Sequence, residues 1–465
     1  MQKNYSTALH IFRRDLRLHD NTALLHALNH SQSVIPCFIF DKRQIENNEY
    51  KSENGIEFMI NSLNELNARL NEKKGKLYFF YGITEEILER LISENKIQSV
   101  FINRDYTPFS LERDKRIEKI CLKYEIDFYC FADALLQEPE EVFKPNGKPY
   151  TIFTHFYNKA ACLSIAKPKK NQHENYYNKK IEFSDTHVLE KLSQLHNSQL
   201  LVKGGRIEAT ALLKKVITLR NYQDTRNIPA LNATTKLSAH NKFGTLSIRE
   251  LYTVIANQFG KEHTLIKELY WRDFFTHIAF HFPHVFGHAF IKKYGSLPWS
   301  ENEKHFHAWC EGYTGFPIVD AGMRELNTTG FMHNRVRMIT ASFLVKDLHI
   351  DWRWGEKYFA QKLVDYDPAV NNGNWQWAAS TGCDSQPYFR IFNPWLQQKK
   401  YDADCIYIKR WIKELENFSA KKIHGLEKNN ANIIDDYPRL IVDHAIESQK
   451  AKQIYRYQDE HKIKY

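Results

Sequence analysis

A chain of 465 residues is too long for one ordinary domain and comfortable for two or three. Hydrophobic residues make up 43% and charged residues 26%, a globular composition that excludes wholesale disorder. The formal charge of +10 leans towards a polyanionic partner. The 7 cysteines contain no C-x-x-C pair, so a reducing, cytoplasmic location is expected and a disulfide framework is not. No apolar run approaches the roughly 18 residues of a membrane helix. Met1-Gln2-Lys3-Asn4 enters a strand-like run at once, leaving no room for a signal peptide.

Residues 1–133 alternate apolar runs with helical periodicity. The runs predict strands at Ala8–Phe12, Val34–Phe40, Leu77–Tyr81, Val100–Asn103 and Asp127–Phe131. The periodicity predicts helices over Ile56–Leu70, Glu85–Ile92 and Leu111–Tyr124. Such alternation argues for a Rossmann-like parallel sheet covered on both faces. Arg13-Arg14-Asp15-Leu16-Arg17 follows the first strand, so the glycine-rich dinucleotide fingerprint is absent. Residues 134–199, punctuated by Pro139, Pro145, Pro149 and Pro168, read as a long surface connector with basic patches. From Lys203-Gly204-Gly205 the pattern is helical to the end, giving an all-helical domain over 200–465. All 9 tryptophans lie between Trp271 and Trp411, in that domain. They point either to one large aromatic core or to a region that handles planar ligands or electrons.

Three constellations there carry chemistry. On a helix, Asn334, Arg337 and Met338 share one face, which suits a heteroaromatic ligand: amide to ring edge, sulfur to π face. The plain alternative is a salt-bridged surface with Met338 filling a gap. The run Asp365 to Trp377 mixes two carboxylates with several amides and two indoles, which are costly to bury unless bonded. Its plain alternative is a polar loop with Asp367-Pro368 starting a helix. Glu268, Trp271 and Arg272 again fall at i, i+3 and i+4, and could read a flipped base by stacking and an edge hydrogen bond. By spacing alone an ordinary Glu268–Arg272 pair is the favourite. His277, His281, His284 and His288 are spaced like metal ligands, but Pro283 breaks the helix and no H-E-x-x-H occurs, so no metal is expected. No G-x-S-x-G, Walker or kinase signature is present either.

At these residues the chain resembles the photolyase/cryptochrome family, and within it the bacterial class I cyclobutane pyrimidine dimer photolyases. The resemblance runs from His10-Ile11-Phe12-Arg13-Arg14-Asp15-Leu16-Arg17 to Asp436-Tyr437-Pro438-Arg439. It is densest over Thr314-Gly315-Phe316-Pro317-Ile318-Val319-Asp320-Ala321-Gly322-Met323-Arg324 and from Asn371 to Arg390.

The resemblance implies light-driven DNA repair: reduced anionic FAD, excited by light, passes an electron to a flipped-out dimer, which splits. It places FAD contacts on Tyr222, on Thr234-Thr235-Lys236-Leu237-Ser238, and on Asn334, Arg337, Asp365, Asp367 and Asn371. Arg337 with Asp365 resembles the ion pair beside the flavin ring, and Asn371 the side chain facing flavin N5. Trp375, Trp352 and Trp299 match the family's electron-carrying tryptophans, with Trp309 reading as core and Trp354 as an extra. Trp271 and Trp377 would flank the dimer, Met338 and Asn334 would line its site, and Glu268, catalytic with Asn371 and Met338, would bond its base edge, with Arg272 beside it. Arg390, Lys399 and Lys400 would hold phosphates. No obligate protein partner is implied, and a monomer is expected.

Two features separate the relatives within that family. A (6-4) photolyase typically carries histidine where Met338 stands. A cryptochrome photoreceptor commonly adds a long tail beyond the point where this chain stops, at Tyr465. The folate-antenna pattern is not matched: the loop after the fourth strand reads Asn103-Arg104-Asp105-Tyr106-Thr107-Pro108, and Phe286-Gly287 stands where Cys-Lys is usual. A deazaflavin, a flavin or no antenna remain open.

Overall fold

The structure, a computed structural model, describes residues 3–46, 48–428 and 434–460. Met1, Gln2 and Tyr465, used above in reading the ends, lie outside them. The N-terminal part runs β1 (Tyr5–Phe12), α1 (Thr22–His30), β2 (Ser31–Asp41), α2 (Glu53–Glu72), β3 (Tyr78–Gly82), α3 (Thr84–Asn95), β4 (Ser99–Asn103), α4 (Pro108–Lys123) and β5 (Asp127–Phe131). The strands form one parallel sheet in the order β3-β2-β1-β4-β5. Residues Ala8–Phe12 and Val34–Asp41 are buried without interruption, as expected of strands covered on both faces.

Helix α1 has no counterpart in the periodicity. Its Ala23, Leu24, Leu25, Ala27 and Leu28 are all buried, so no polar face writes a helical repeat. Its start is local chemistry, since the Asn21 side chain accepts from the Leu24 N–H. Helices α2 and α4 are capped in the same way, by Ser52 and Thr107.

The connector is not merely a surface strap. Leu136, Val142, Phe153, Phe156 and Ala160 are buried in a core shared with the helical part, and Phe153–Ala160 forms α5. Further on, Val34 N–H donates to Asn175 O (3.0 Å) and Tyr177 N–H to Val34 O (2.7 Å), adding a bridge at β2. Prolines spaced through the segment mask this, because they interrupt periodicity without exposing the apolar residues between them.

The helical part includes α6 (Tyr222–Thr225), α7 (Ser238–Phe243), α8 (Thr264–His281), α9 (Pro317–Thr329), α10 (Asn334–Lys346), α11 (Trp352–Lys362), α12 (Pro368–Ala378) and α13 (His444–Glu460). Among the described residues no helix is long and apolar enough to cross a membrane. Helix α8 packs on α12, and α12 on α10 and α11. A Cβ on Gly373 would collide with the Phe275 ring, and one on Gly355 with the Trp375 indole, so both glycines set how closely these helices approach.

The two parts are joined by charge. Arg14, leaving β1, pairs with Asp105 at 3.0 Å and with Asp367, the N-cap of α12. Arg249 bridges to Asp20 and Asp133 of the N-terminal part, each at 2.8 Å, and Asp133 is shared there with Arg17 at 2.6 Å. Leu16 N–H donates to Phe243 O at 3.0 Å.

Candidate functional site

Helix α10 starts beside a capping histidine: His333 Nδ1 accepts from the Arg335 N–H. Its far half, Ile339–Lys346, is buried throughout, whereas Asn334 is exposed and Arg337 and Met338 are half-buried. The three therefore lie at the accessible end of the helix, and Asn334 reaches the Met338 sulfur at 3.9 Å. Arg337 donates to Asp365 through two parallel bonds, 3.2 and 2.9 Å, and its Nε donates to Met332 O at 2.7 Å.

On α12, Asn371 is buried and donates through Nδ2 to the Glu356 carbonyl at 3.0 Å. Among the described residues no hydrogen bond reaches its side-chain oxygen. Asn372 donates to the Glu356 carboxylate at 2.9 Å, and burial pushes that carboxyl up to about 7. Glu356 escaped the sequence reading, since it looks like ordinary helix polarity until the burial is seen, whereas Asn372 lies within the run 365–377 without a role of its own there.

Asp367 is already committed. One oxygen caps Ala369 and Val370, and the other takes Arg14, so it positions α12. Tyr222, Thr234, Thr235 and Lys236 are half-buried, Leu237 is buried and Ser238 exposed at the start of α7. Lys236 adopts a left-handed backbone (φ 54°), and burial lowers its ammonium below the usual range.

On α8, Trp271 lies face to face on Phe153, ring centres 3.6 Å apart and planes within 7°. Phe153, a connector residue, gave no sequence signal of this. Glu268 does not pair with Arg272. It pairs with Arg226, at the end of α6, while Arg272 turns inward to the carbonyls of Ala134 (2.6 Å) and Asn241 (3.3 Å). Spacing on one helix cannot foresee a partner 42 residues away. Trp377 is half-buried and meets Phe392 at 6.5 Å. Arg390, Lys399 and Lys400 are exposed, with Lys399 paired to Glu427 at 2.5 Å. His277 and His281 both donate to the Pro139 carbonyl, at 3.2 and 3.0 Å, which is interfacial packing.

Trp375 and Trp352 are enclosed and Trp299 is half-buried. Ser300 N–H donates to His349 O at 2.7 Å, holding the Trp299 segment beside the start of α11. Trp309 is core: its Nε1 donates to Thr340 O at 3.0 Å, and its ring stands edge-on to Trp375 at 6.1 Å. Trp354 packs on Phe306 at 5.1 Å.

The donor set fits an isoalloxazine and its tail. An amide oxygen that no hydrogen bond reaches among the described residues (Asn371), a guanidinium fixed by a carboxylate (Arg337) and hydroxyls at Thr234, Thr235 and Ser238 are what ring edges and phosphates require. An opening lies where the strands β1 and β2 end. Phe12, Phe38, Phe40 and Phe243 wall it, with Arg13, Arg14, Arg113 and Lys242 among its lining groups.

Comparison with known proteins agrees with this layout. The family model described as DNA photolyase matches residues 8–172, and that of the FAD binding domain of DNA photolyase matches 265–457. The deoxyribodipyrimidine photo-lyase of Alkalihalophilus pseudofirmus is 35% identical over 474 residues, covering 97% of this chain and 98% of that protein. An archaeal photolyase from Sulfolobus tokodaii, solved with two FAD molecules, is 44% identical with a TM-score of 0.89, covering 97% of this chain and 100% of that one. A bacterial class III photolyase from Agrobacterium tumefaciens is 34% identical with a TM-score of 0.91, covering 99% of each chain.

Proposed function

The chain belongs to the photolyase/cryptochrome family, and from that premise we propose that it is a deoxyribodipyrimidine photo-lyase, splitting cyclobutane pyrimidine dimers in DNA by light. Whole-length likeness to a deoxyribodipyrimidine photo-lyase carries this reading. The finer assignment to class I is supported by the motif runs 314–324 and 371–390. We divide the chain into an antenna-type domain (1–133), a connector (134–199) and a helical FAD- and DNA-binding domain (200–465).

FAD, when bound and reduced, supplies the light-driven electron. The protein's part is positioning. The Arg337–Asp365 pair and Asn371 orient the ring, and the stretch 234–238 with Tyr222 holds the tail. Trp271 and Trp377 wall the lesion with Met338, and Glu268 addresses a base edge. Arg390 and Lys400 offer exposed cations to phosphate. Trp375, Trp352 and Trp299 supply electrons inward from the rim. The aromatic, cation-lined opening at the strand ends suits a second, planar and anionic chromophore of the flavin type; the Sulfolobus tokodaii photolyase holds two FAD molecules.

The test is an absorption spectrum of the purified protein followed by dimer repair under blue light. Flavin bands with light-dependent loss of dimers are expected. Flavin bands without repair would favour a cryptochrome, and absent flavin bands would overturn the reading.

A further inference from the structure

Among the described residues three rings meet the Trp271 indole, two of them from its own helix. Phe274 stands edge-on to it at 5.7 Å, and Phe275 lies tilted at 5.5 Å. The third, Phe153 at the start of α5, lies flat on the indole with ring centres 3.6 Å apart. A face-to-face sandwich is less favoured by the ring quadrupoles than an offset or edge-on pair. The stack is therefore imposed by the backbone that delivers Phe153.

That backbone is held from α12. Phe153 N–H donates to the Asp384 carboxylate at 3.0 Å, and the Cys383 thiol donates to Thr151 O at 2.8 Å. The turn between α12 and Asp384 folds back on the helix end. Ser380 N–H donates to Trp377 O at 3.2 Å, and the Thr381 and Gly382 N–H groups donate to Gln376 O at 3.0 and 3.1 Å. A continuous chain of contacts thus runs from Trp377 through this turn and Phe153 to Trp271.

We propose that Phe153, propped by Asp384, is a positioning residue that fixes the plane of Trp271 and its separation from Trp377, and so sets the preference for a cyclobutane dimer over unmodified bases. In the dimer-repair reading, on which this rests, these two indoles flank the lesion. Phe153 is buried whereas Trp271 is half-buried, so the dimer meets the indole and Phe153 acts through it. A ring ordered before the lesion arrives spares binding the entropy of ordering it. That benefit goes to a ligand stacked on the indole, and phosphate contacts do not share it.

Binding of the FAD-loaded protein in the dark, read by fluorescence anisotropy, tests this on a duplex with a single cyclobutane thymine dimer and on the same undamaged duplex. Phe153→Leu should keep FAD and bind the undamaged duplex like the wild type, while its affinity for the dimer duplex falls about three- to tenfold. Asp384→Ala, which leaves every ring in place, should lose part of the same preference. In a Trp271→Leu background, Phe153→Leu should cost nothing further, because the ring it supports is gone. Equal losses on both duplexes, or losses that add in the double variant, would make Phe153 a packing residue and overturn the proposal. Should Phe153→Leu shed its FAD, Asp384→Ala decides, and an unchanged dimer preference there overturns the proposal. No dimer preference in the wild type would overturn the repair reading itself, and the proposal with it.

Discussion

Arg337 meets Asp365 end-on, two parallel hydrogen bonds joining a half-buried guanidinium to a buried carboxylate. Each is also anchored by its own element, Arg337 through the Met332 carbonyl and Asp365 by the turn that leads into α12.

Removing one partner leaves the other uncompensated, at a cost on the order of 3 kcal/mol. Asp365→Asn should therefore lower the melting temperature and release FAD at a lower temperature than the wild type. Thermal melts read by flavin fluorescence measure both. A variant that melts and retains FAD like the wild type would show that the pair holds nothing.

Trp375→Phe should cut photoreduction of oxidised FAD at least tenfold while leaving repair by chemically reduced protein largely intact. In the proposed reading the tryptophans feed electrons inward, whereas the dimer is served directly from the reduced cofactor. Illumination with a reductant, followed by a repair assay on dithionite-reduced protein, separates the two. Collapse of both would place Trp375 in the lesion site.

Glu268→Ala should keep FAD and light-driven flavin reduction, bind dimer-containing DNA only moderately worse, and split dimers with severalfold lower yield per absorbed photon. A bond that strengthens as charge develops lowers the barrier more than it tightens binding. Glu268→Gln, which keeps a donor, should lose less. Unchanged yields in both would leave Glu268 structural.

The buried Glu356 carboxyl, pushed up to about 7, makes stability depend on pH. The folded state holds its proton more tightly than the unfolded chain. Its contribution is therefore full below the ordinary glutamate range of about 4.3 and is lost as pH rises through 7, amounting to at most about 3 kcal/mol. Glu356→Gln keeps an acceptor for Asn372 and removes the titration. Its melting temperature relative to the wild type should rise between pH 5 and pH 8, and a constant difference would refute the assignment.

Much of the fold was legible because strand and helix periods are written by burial on one or two faces. Strand β5 coincides with its expected bounds, and the other strands differ by a few residues at their ends. Helix α1 was not legible, for burial on nearly all sides erases the period. At the site, Asn334, Arg337 and Met338 share a face because they share a helix, which spacing can show. The ion pair of Arg337 with Asp365 needed the family resemblance. The partner of Glu268 was misread, since proximity along α8 favoured Arg272 whereas the tertiary fold supplied Arg226. The connector's Phe153 under Trp271 is the same lesson, a contact made only by chain return.

The clasp of Arg14 on Asp367 means that the two halves are not interchangeable parts. The turn that aims Asn371 begins at a residue whose counter-ion sits on the opposite side of the chain's midpoint, directly after β1. A chimera assembled from two relatives would have to inherit residue 14 and residue 367 from the same parent. Otherwise α12 would start from a cap with one carboxylate oxygen left without its counter-ion.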